Sequence, residues 1–121
     1  LLVEDDGETR EQFASALRSA GAQVWAVGST REGLEMLGTV TPDLLVADVG
    51  GPGQEGAELI GKVRALVGSS GHVPAVAITA DARRDHQRAR AAGYDAHLGK
   101  PVEPDRLRRV VARLFLHDRA S

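Results

Sequence analysis

The chain contains no cysteine, which excludes a disulfide framework, a thiolate nucleophile and a zinc–thiolate site. Trp25, Tyr94, Phe13 and Phe115 are all of its aromatic residues. They are too few and too scattered to stack on a flavin ring or on successive nucleobases. Charge of one sign is also missing: 15 Lys and Arg face 17 Asp and Glu, for a formal net charge of -2. A dedicated nucleic-acid binder carries a basic surplus, so direct contact with nucleic acid is not expected. No apolar run is long enough to cross a bilayer, and no basic-then-apolar leader opens the chain, so this domain is not expected to touch a membrane. The arginines at helical spacing (Arg83, Arg84, Arg88, Arg90 and Arg106, Arg108, Arg109, Arg113) read as solvated helix faces.

What is present is a regular alternation. The 121 residues, 42% of them hydrophobic, suffice for one domain with a real core, spanning 1–121. Leu1-Leu2-Val3 reads as a strand already under way, its first residue or two missing. Phe13, Ala14, Ala16, Leu17 and Ala20 recur at helical spacing until Gly21. Gln23–Val27 is a second strand. Ser29 and Glu32 form a capping box for a short helix carrying Leu34 and Leu37 and closed by Gly38. Leu44–Ala47 is unbroken apolar sequence, as a central parallel strand covered on both faces requires. Gly50-Gly51-Pro52-Gly53 leads to a helix with Ala57, Leu59, Ile60, Val63, Leu66 and Val67, and 68–71 is a loop. Ala75–Ile78 is the fourth strand, 82–92 a helix stopped by Gly93, and 95–98 the last strand. Pro104 opens a final helix with an apolar stripe of Leu107, Val110, Val111, Leu114 and Phe115. Five strands alternating with five helices through short connections predict a parallel sheet with helices on both sides. No output domain is expected beyond Ser121.

The polar residues that interrupt this pattern fall at strand ends. Glu4, Asp5 and Asp6 follow strand 1, Asp48 strand 3, Thr79 strand 4 and Lys100 strand 5. Binding crevices of open parallel sheets lie beyond the carboxyl ends of the strands. Each residue alone has an ordinary structural reading: a helix-start acid cluster, a turn cap, a helix cap beside Asp81, a surface lysine. The glycine loop lacks the Lys-Ser/Thr ending of a nucleotide-binding P-loop and the spacing of a dinucleotide fingerprint. Their joint placement points instead to phosphoryl or metal chemistry. If strands 1 and 3 are neighbours, their carboxylates converge and need a cation. An all-oxygen donor set selects a hard ion, with Mg2+ the default. Asp48 is then the candidate nucleophile, Lys100 its charge partner, Thr79 a hydroxyl donor, and the Gly50 carbonyl a ligand beside Glu4, Asp5 and Asp48.

With these residues in view, the chain resembles the receiver domains of two-component response regulators over essentially its whole length. The resemblance is carried by Leu2-Val3-Glu4-Asp5-Asp6 with Arg10, Asp48-Val49 with Pro52 and Gly56, Thr79-Ala80, and Lys100-Pro101. It implies a doubly wound (βα)5 three-layer α/β sandwich, flavodoxin-like, with parallel strand order 2-1-3-4-5. It further implies that Asp48 takes a phosphoryl group from the phosphohistidine of a histidine kinase or histidine phosphotransferase, followed by Mg2+-dependent self-hydrolysis, with Mn2+ as a substitute ion. In that pattern Asp5 is the direct metal ligand and Glu4 acts through water. Thr79, Ala80 and Lys100 bind the phosphoryl group, Thr79 and His97 form the switch, and the Lys100–Pro101 bond is cis. Docking or receiver–receiver pairing would use helix 4, strand 5 and helix 5. A cytoplasmic location is implied, on its own or as the cytoplasmic part of a membrane-bound kinase.

The sequence departs from the family at three places. Gly51 replaces a bulkier apolar residue, which with Gly50 and Gly53 should loosen the loop; Gly99 stands where a hydroxyl is frequent; and His97 replaces the usual Tyr or Phe. A histidine there, within Ala92–Leu98, is similar to receivers at the C-terminal end of hybrid sensor kinases. His97 is read as a partly exposed switch or packing residue and not as a ligand, and His72, His86 and His117 as surface histidines with no companion ligands. Three rival readings are weaker. A degenerate receiver would have lost one of the five expected positions. A flavodoxin-like cofactor binder would need aromatics around a ring, and a DNA-binding regulator an output domain.

Overall fold

Side-chain patterning and pairing chemistry account for each element of the computed structural model, which describes residues 1–48, 55–66, 71–80 and 82–120. The strands are β1 (Leu2–Val3), β2 (Ala26–Val27), β3 (Leu45–Asp48), β4 (Ala75–Thr79) and β5 (Ala96–Gly99). The helices are α1 (Gly7–Ser19), α2 (Thr30–Met36), α3 (Glu55–Arg64), α4 (Ala82–Ala92) and α5 (Pro104–Ala120). All pairings are parallel and the sheet order is β2-β1-β3-β4-β5. This is the doubly wound (βα)5 flavodoxin-like fold. Among the described residues no helix is long and apolar enough to cross a membrane.

The unbroken apolar strands follow from burial on both faces. Alternate residues feed two cores: Val46, Val76, Ile78 and Leu98 meet Phe13 and Leu17 of α1 and Leu107 of α5. Leu45, Ala47, Ala75 and Ala77 meet Leu59, Ile60 and Val63 of α3, with Ala89 and Tyr94. The small side chains on the second face let α3 sit close to the sheet. Gly33 serves the same end on α2, where an added Cβ would lie 2.9 Å from Val3 Cγ2.

Local capping sets where helices begin and stop. Asp6 accepts the Thr9 N–H at 2.9 Å and starts α1. Ser29 accepts the Glu32 N–H at 3.1 Å, and the Glu32 carboxylate reaches back to the Gly28 N–H at 2.8 Å. The expected capping box is therefore present, but its return bond lands one residue earlier, on Gly28. Gly21 and Gly93 end α1 and α4 with φ of 98° and 124°, which only glycine adopts without strain. The second strand is shorter than its 23–27 pattern predicts. Only Ala26 and Val27 find partners in β1, and Leu2 and Glu4 close that edge by donating to the Trp25 and Val27 carbonyls.

Candidate functional site

The sheet order makes β1 and β3 neighbours, so the residues just past them meet. Glu4 and Asp5 leave β1 as Asp48 ends β3, and one carboxylate oxygen from each lies within 4.8 Å of the others. Thr79 ends β4, and Lys100 follows β5, its N–H bonded to the Thr79 carbonyl at 2.8 Å. The Lys100 ammonium reaches across to Asp48 Oδ2 at 2.7 Å. Five of the sequence-predicted site residues, Glu4, Asp5, Asp48, Thr79 and Lys100, are thus brought to one crevice. Ala80 is exposed beside Thr79, and the Lys100–Pro101 peptide is cis. Gly50 and the rest of the 49–54 loop lie outside the described residues.

Burial gives this cluster its electrostatics. Glu4 is 2% exposed and Thr79 0%, and burial alone penalises an ionised Glu4. A hydrogen bond shared with Asp48 and the Asp48 charge add to this, and the Glu4 carboxyl is pushed up to about 8. The Asp6 N–H, donated to Glu4 Oε1 at 3.1 Å, opposes the shift without overcoming it. Burial works against the Lys100 ammonium too, but the Asp48 hydrogen bond and the charges of Asp48, Glu4 and Asp5 outweigh it, and its pKa moves upward. Arg10 steadies the end of β1 from outside, donating to the Glu4 carbonyl at 2.9 Å.

The Thr79 hydroxyl is buried with no hydrogen-bond partner among the described residues. Buried polar atoms are rarely left so, and such an atom marks a place for a ligand. An octahedral Mg2+ spans about 4.2 Å between opposite oxygens, close to the 4.8 Å over which the three acids spread. The residues therefore fit a hard divalent cation.

His97 is placed on β5 facing α4, half-buried, where it meets His86: the Nδ1 atoms are 2.9 Å apart. This corrects the sequence reading of His86 as a histidine without a companion; helix and strand are separated in sequence, and only the α4–β5 contact joins them. Burial, then the neighbouring His86 and Arg90, hold the His97 pKa below the ordinary imidazole value.

Sequence reasoning missed a support on the same face. Arg64, at the end of α3, donates to the Gly93 carbonyl at 2.9 Å and to those of Gly71 and Val73, and pairs with Asp95 at 3.0 Å. Asp95 in turn accepts the Ala75 N–H at 2.8 Å, and the buried Tyr94 hydroxyl donates to the Gly56 carbonyl at 2.9 Å. An arginine closing an apolar helix was the available signal.

The response regulator receiver domain family matches residues 1–112 of this chain. A Leptolyngbya boryana sequence described as an uncharacterized 14.6 kDa protein in the sodA1 3' region is 41% identical, over 96% of this chain and 88% of its own length. Sensor histidine kinase RcsC of Salmonella typhi is 32% identical over 93% of this chain, which spans 12% of that kinase. Among solved structures, the receiver domain of sensor histidine kinase PA1611 from Pseudomonas aeruginosa superposes with a TM-score of 0.81 at 27% identity, covering 94% of this chain and 93% of its own. That structure has a magnesium ion coordinated in its active-site cleft.

Proposed function

This chain belongs to the response regulator receiver domain family of two-component phosphorelays, and from that premise we propose that Asp48 is its phosphoacceptor, with Mg2+ held by Glu4, Asp5 and Asp48. The observation that carries the reading is the 2.7 Å pairing of Lys100 with Asp48, together with a buried Thr79 hydroxyl that has no partner among the described residues. Cation and hydroxyl flank the carboxylate where a phosphoryl group would arrive.

Asp48 attacks phosphorus through a carboxylate oxygen. The new O–P bond forms as the P–N bond of the donor phosphohistidine breaks, and the imidazole nitrogen keeps the electron pair. Lys100 pairs with Asp48 before transfer and with a phosphoryl oxygen afterwards, and Thr79 Oγ1 donates to another. Asp5 and Asp48 would hold the ion, with Glu4 beside them, and it would supply charge that neutralises the phosphoryl oxygens; Gly50, the further ligand the resemblance implies, lies outside the described residues. Ala80 leaves room for the phosphoryl group. Hydrolysis of the acyl phosphate at the same site ends the signal.

Lys100 N–H holds the Thr79 carbonyl, and His97 lies in the same β5 strand, in register with Ala77 two residues before Thr79. A pull of Thr79 toward the phosphoryl group therefore reaches His97, and through it the face formed by α4, β5 and α5. That face serves a histidine kinase, a histidine phosphotransferase or a second receiver. The similarity to RcsC and to the PA1611 receiver favours a hybrid kinase context with this domain in the cytoplasm.

The test is phosphorylation by acetyl phosphate with Mg2+, or with Mn2+ in its place, followed by intact mass. Wild type gains one phosphoryl group and Asp48→Asn none. An unmodified wild type, or equal labelling of Asp48→Asn, overturns the assignment.

A further inference from the structure

Away from the acid pocket, two histidines from different elements touch. His86 Nδ1 on α4 lies 2.9 Å from His97 Nδ1 and 3.2 Å from His97 Nε2 on β5. The ring centroids are 4.2 Å apart with a 50° tilt between planes. We propose that His86 and His97 form a two-imidazole site for a borderline divalent transition metal, of the Cu2+ or Zn2+ class, that clasps α4 to β5.

The distances carry this. Two imidazole nitrogens on one ion at about 2.0–2.1 Å, subtending an angle between square-planar and tetrahedral, lie about 2.9–3.4 Å apart. The ring nitrogens already stand at that spacing. The alternative use of the spacing, a single N–H···N bond, ties up one lone pair; turning either ring about its soft χ2 torsion directs both lone pairs to a common point. Imidazole donors suit Zn2+, Ni2+ and Cu2+, with Cu2+ bound most tightly, and are poor ligands for Mg2+. The two sites therefore select different ions. His86 is exposed and His97 half-buried, so water completes the coordination sphere. Among the described residues the one cluster of three ligating acids or histidines is Glu4, Asp5 and Asp48, which leaves the histidine site two-coordinate from protein. Arg90, one turn beyond His86, spends its guanidinium on the Asp95 carbonyl at 3.1 Å; its charge limits affinity without occupying either ring.

The site does not depend on the phosphoryl-transfer reading, and its test is made without a phosphodonor. Cu2+ alone is titrated into the whole chain in excess Mg2+, with electron paramagnetic resonance as the readout. Wild type shows hyperfine coupling from two nitrogens. His86→Gln and His97→Gln each retain one nitrogen and bind about tenfold more weakly or worse, while His72→Gln matches wild type. Thermal melts of the two variants establish that they are folded. A wild-type spectrum with oxygen ligands only, abolished by Asp48→Asn, overturns the proposal. So does a nitrogen signal that survives in the His86→Gln, His97→Gln double variant.

Discussion

Glu4 offers the most direct measurement of how the acid pocket is wired. Its carboxyl is pushed up to about 8, first by burial and then by Asp48. In the unfolded chain it titrates in the ordinary range near 4.5. Between those values the folded protein holds a proton that the unfolded chain has released, so stability falls as pH rises from about 5 to about 8. At about 1.4 kcal/mol per unit the ceiling is about 5 kcal/mol. Asp48 competes for the same proton, and an effect of about 2–5 kcal/mol is expected. One group works the other way: the His97 pKa is lowered, first by burial. It adds stability as pH rises up to about 6.5.

A raw stability profile therefore mixes opposed slopes, and the informative quantity is the difference from Glu4→Gln. The amide has the shape of a protonated carboxyl and cannot ionise. Urea unfolding in EDTA at pH 5, 6, 7 and 8 should show Glu4→Gln close to wild type at pH 5 and more stable by about 2–5 kcal/mol at pH 8. Millimolar Mg2+ should stabilise wild type more than the variant at pH 8, because the ion binds the ionised acid. A wild-type-minus-variant difference that stays constant from pH 5 to pH 8 would refute the burial of a titrating Glu4.

Three further outcomes follow from single contacts. Lys100→Ala removes the ammonium 2.7 Å from Asp48; it should fold and restrict acetyl-phosphate-induced chemical-shift changes to the pocket, whereas changes spreading undiminished to α4, β5 and α5 would count against the coupling. Tyr94→Phe deletes the buried hydroxyl bond to Gly56 and should lower stability by about 1 kcal/mol, or about 3–6 °C in Tm; an unchanged melt would show the bond to be dispensable. In metal-free solution His97 should titrate below the ordinary 6.5 of imidazole and move upward in His86→Gln, which histidine-resolved NMR can follow; no movement would remove His86 as a cause.

How much of this was legible beforehand depended on whether a feature was local. The sheet and its flanking helices could be read because burial on both faces writes unbroken apolar runs such as Leu44–Ala47, and because caps such as Ser29 and Glu32 act within one turn. The strand-end acids stood out because they end apolar runs, Glu4 after Val3 and Asp48 after Ala47. The order β2-β1-β3-β4-β5, which turns separate acids into one cluster, came with the family resemblance and not with the residues. Contacts across elements left no local trace. Arg64 bridges to Gly93 and Asp95 over some thirty positions of chain, at separations of 29 and 31 residues. The contact of His86 with His97 depends on how α4 lies on β5, which no spacing rule encodes.

The same locality explains why the charges of the crevice do not cancel within it. Glu4, Asp5 and Asp48 bring three carboxyls within 4.8 Å, and Lys100 supplies one nearby positive charge. Without an ion the deficit is met by retaining a proton on the most buried acid, which is what an upward-shifted Glu4 does. A divalent cation would meet it by displacing that proton. On the proposed reading a phosphoryl group would then add negative charge beside Asp48, near Lys100 and the Thr79 hydroxyl, which has no partner among the described residues. Proton and cation are thus alternative answers to one local excess of negative charge, which a phosphoryl group would deepen. Each would change what the strand ends hold, and Lys100, bonded through its backbone N–H to the Thr79 carbonyl and through its ammonium to Asp48, is the link by which that change would pass into β5.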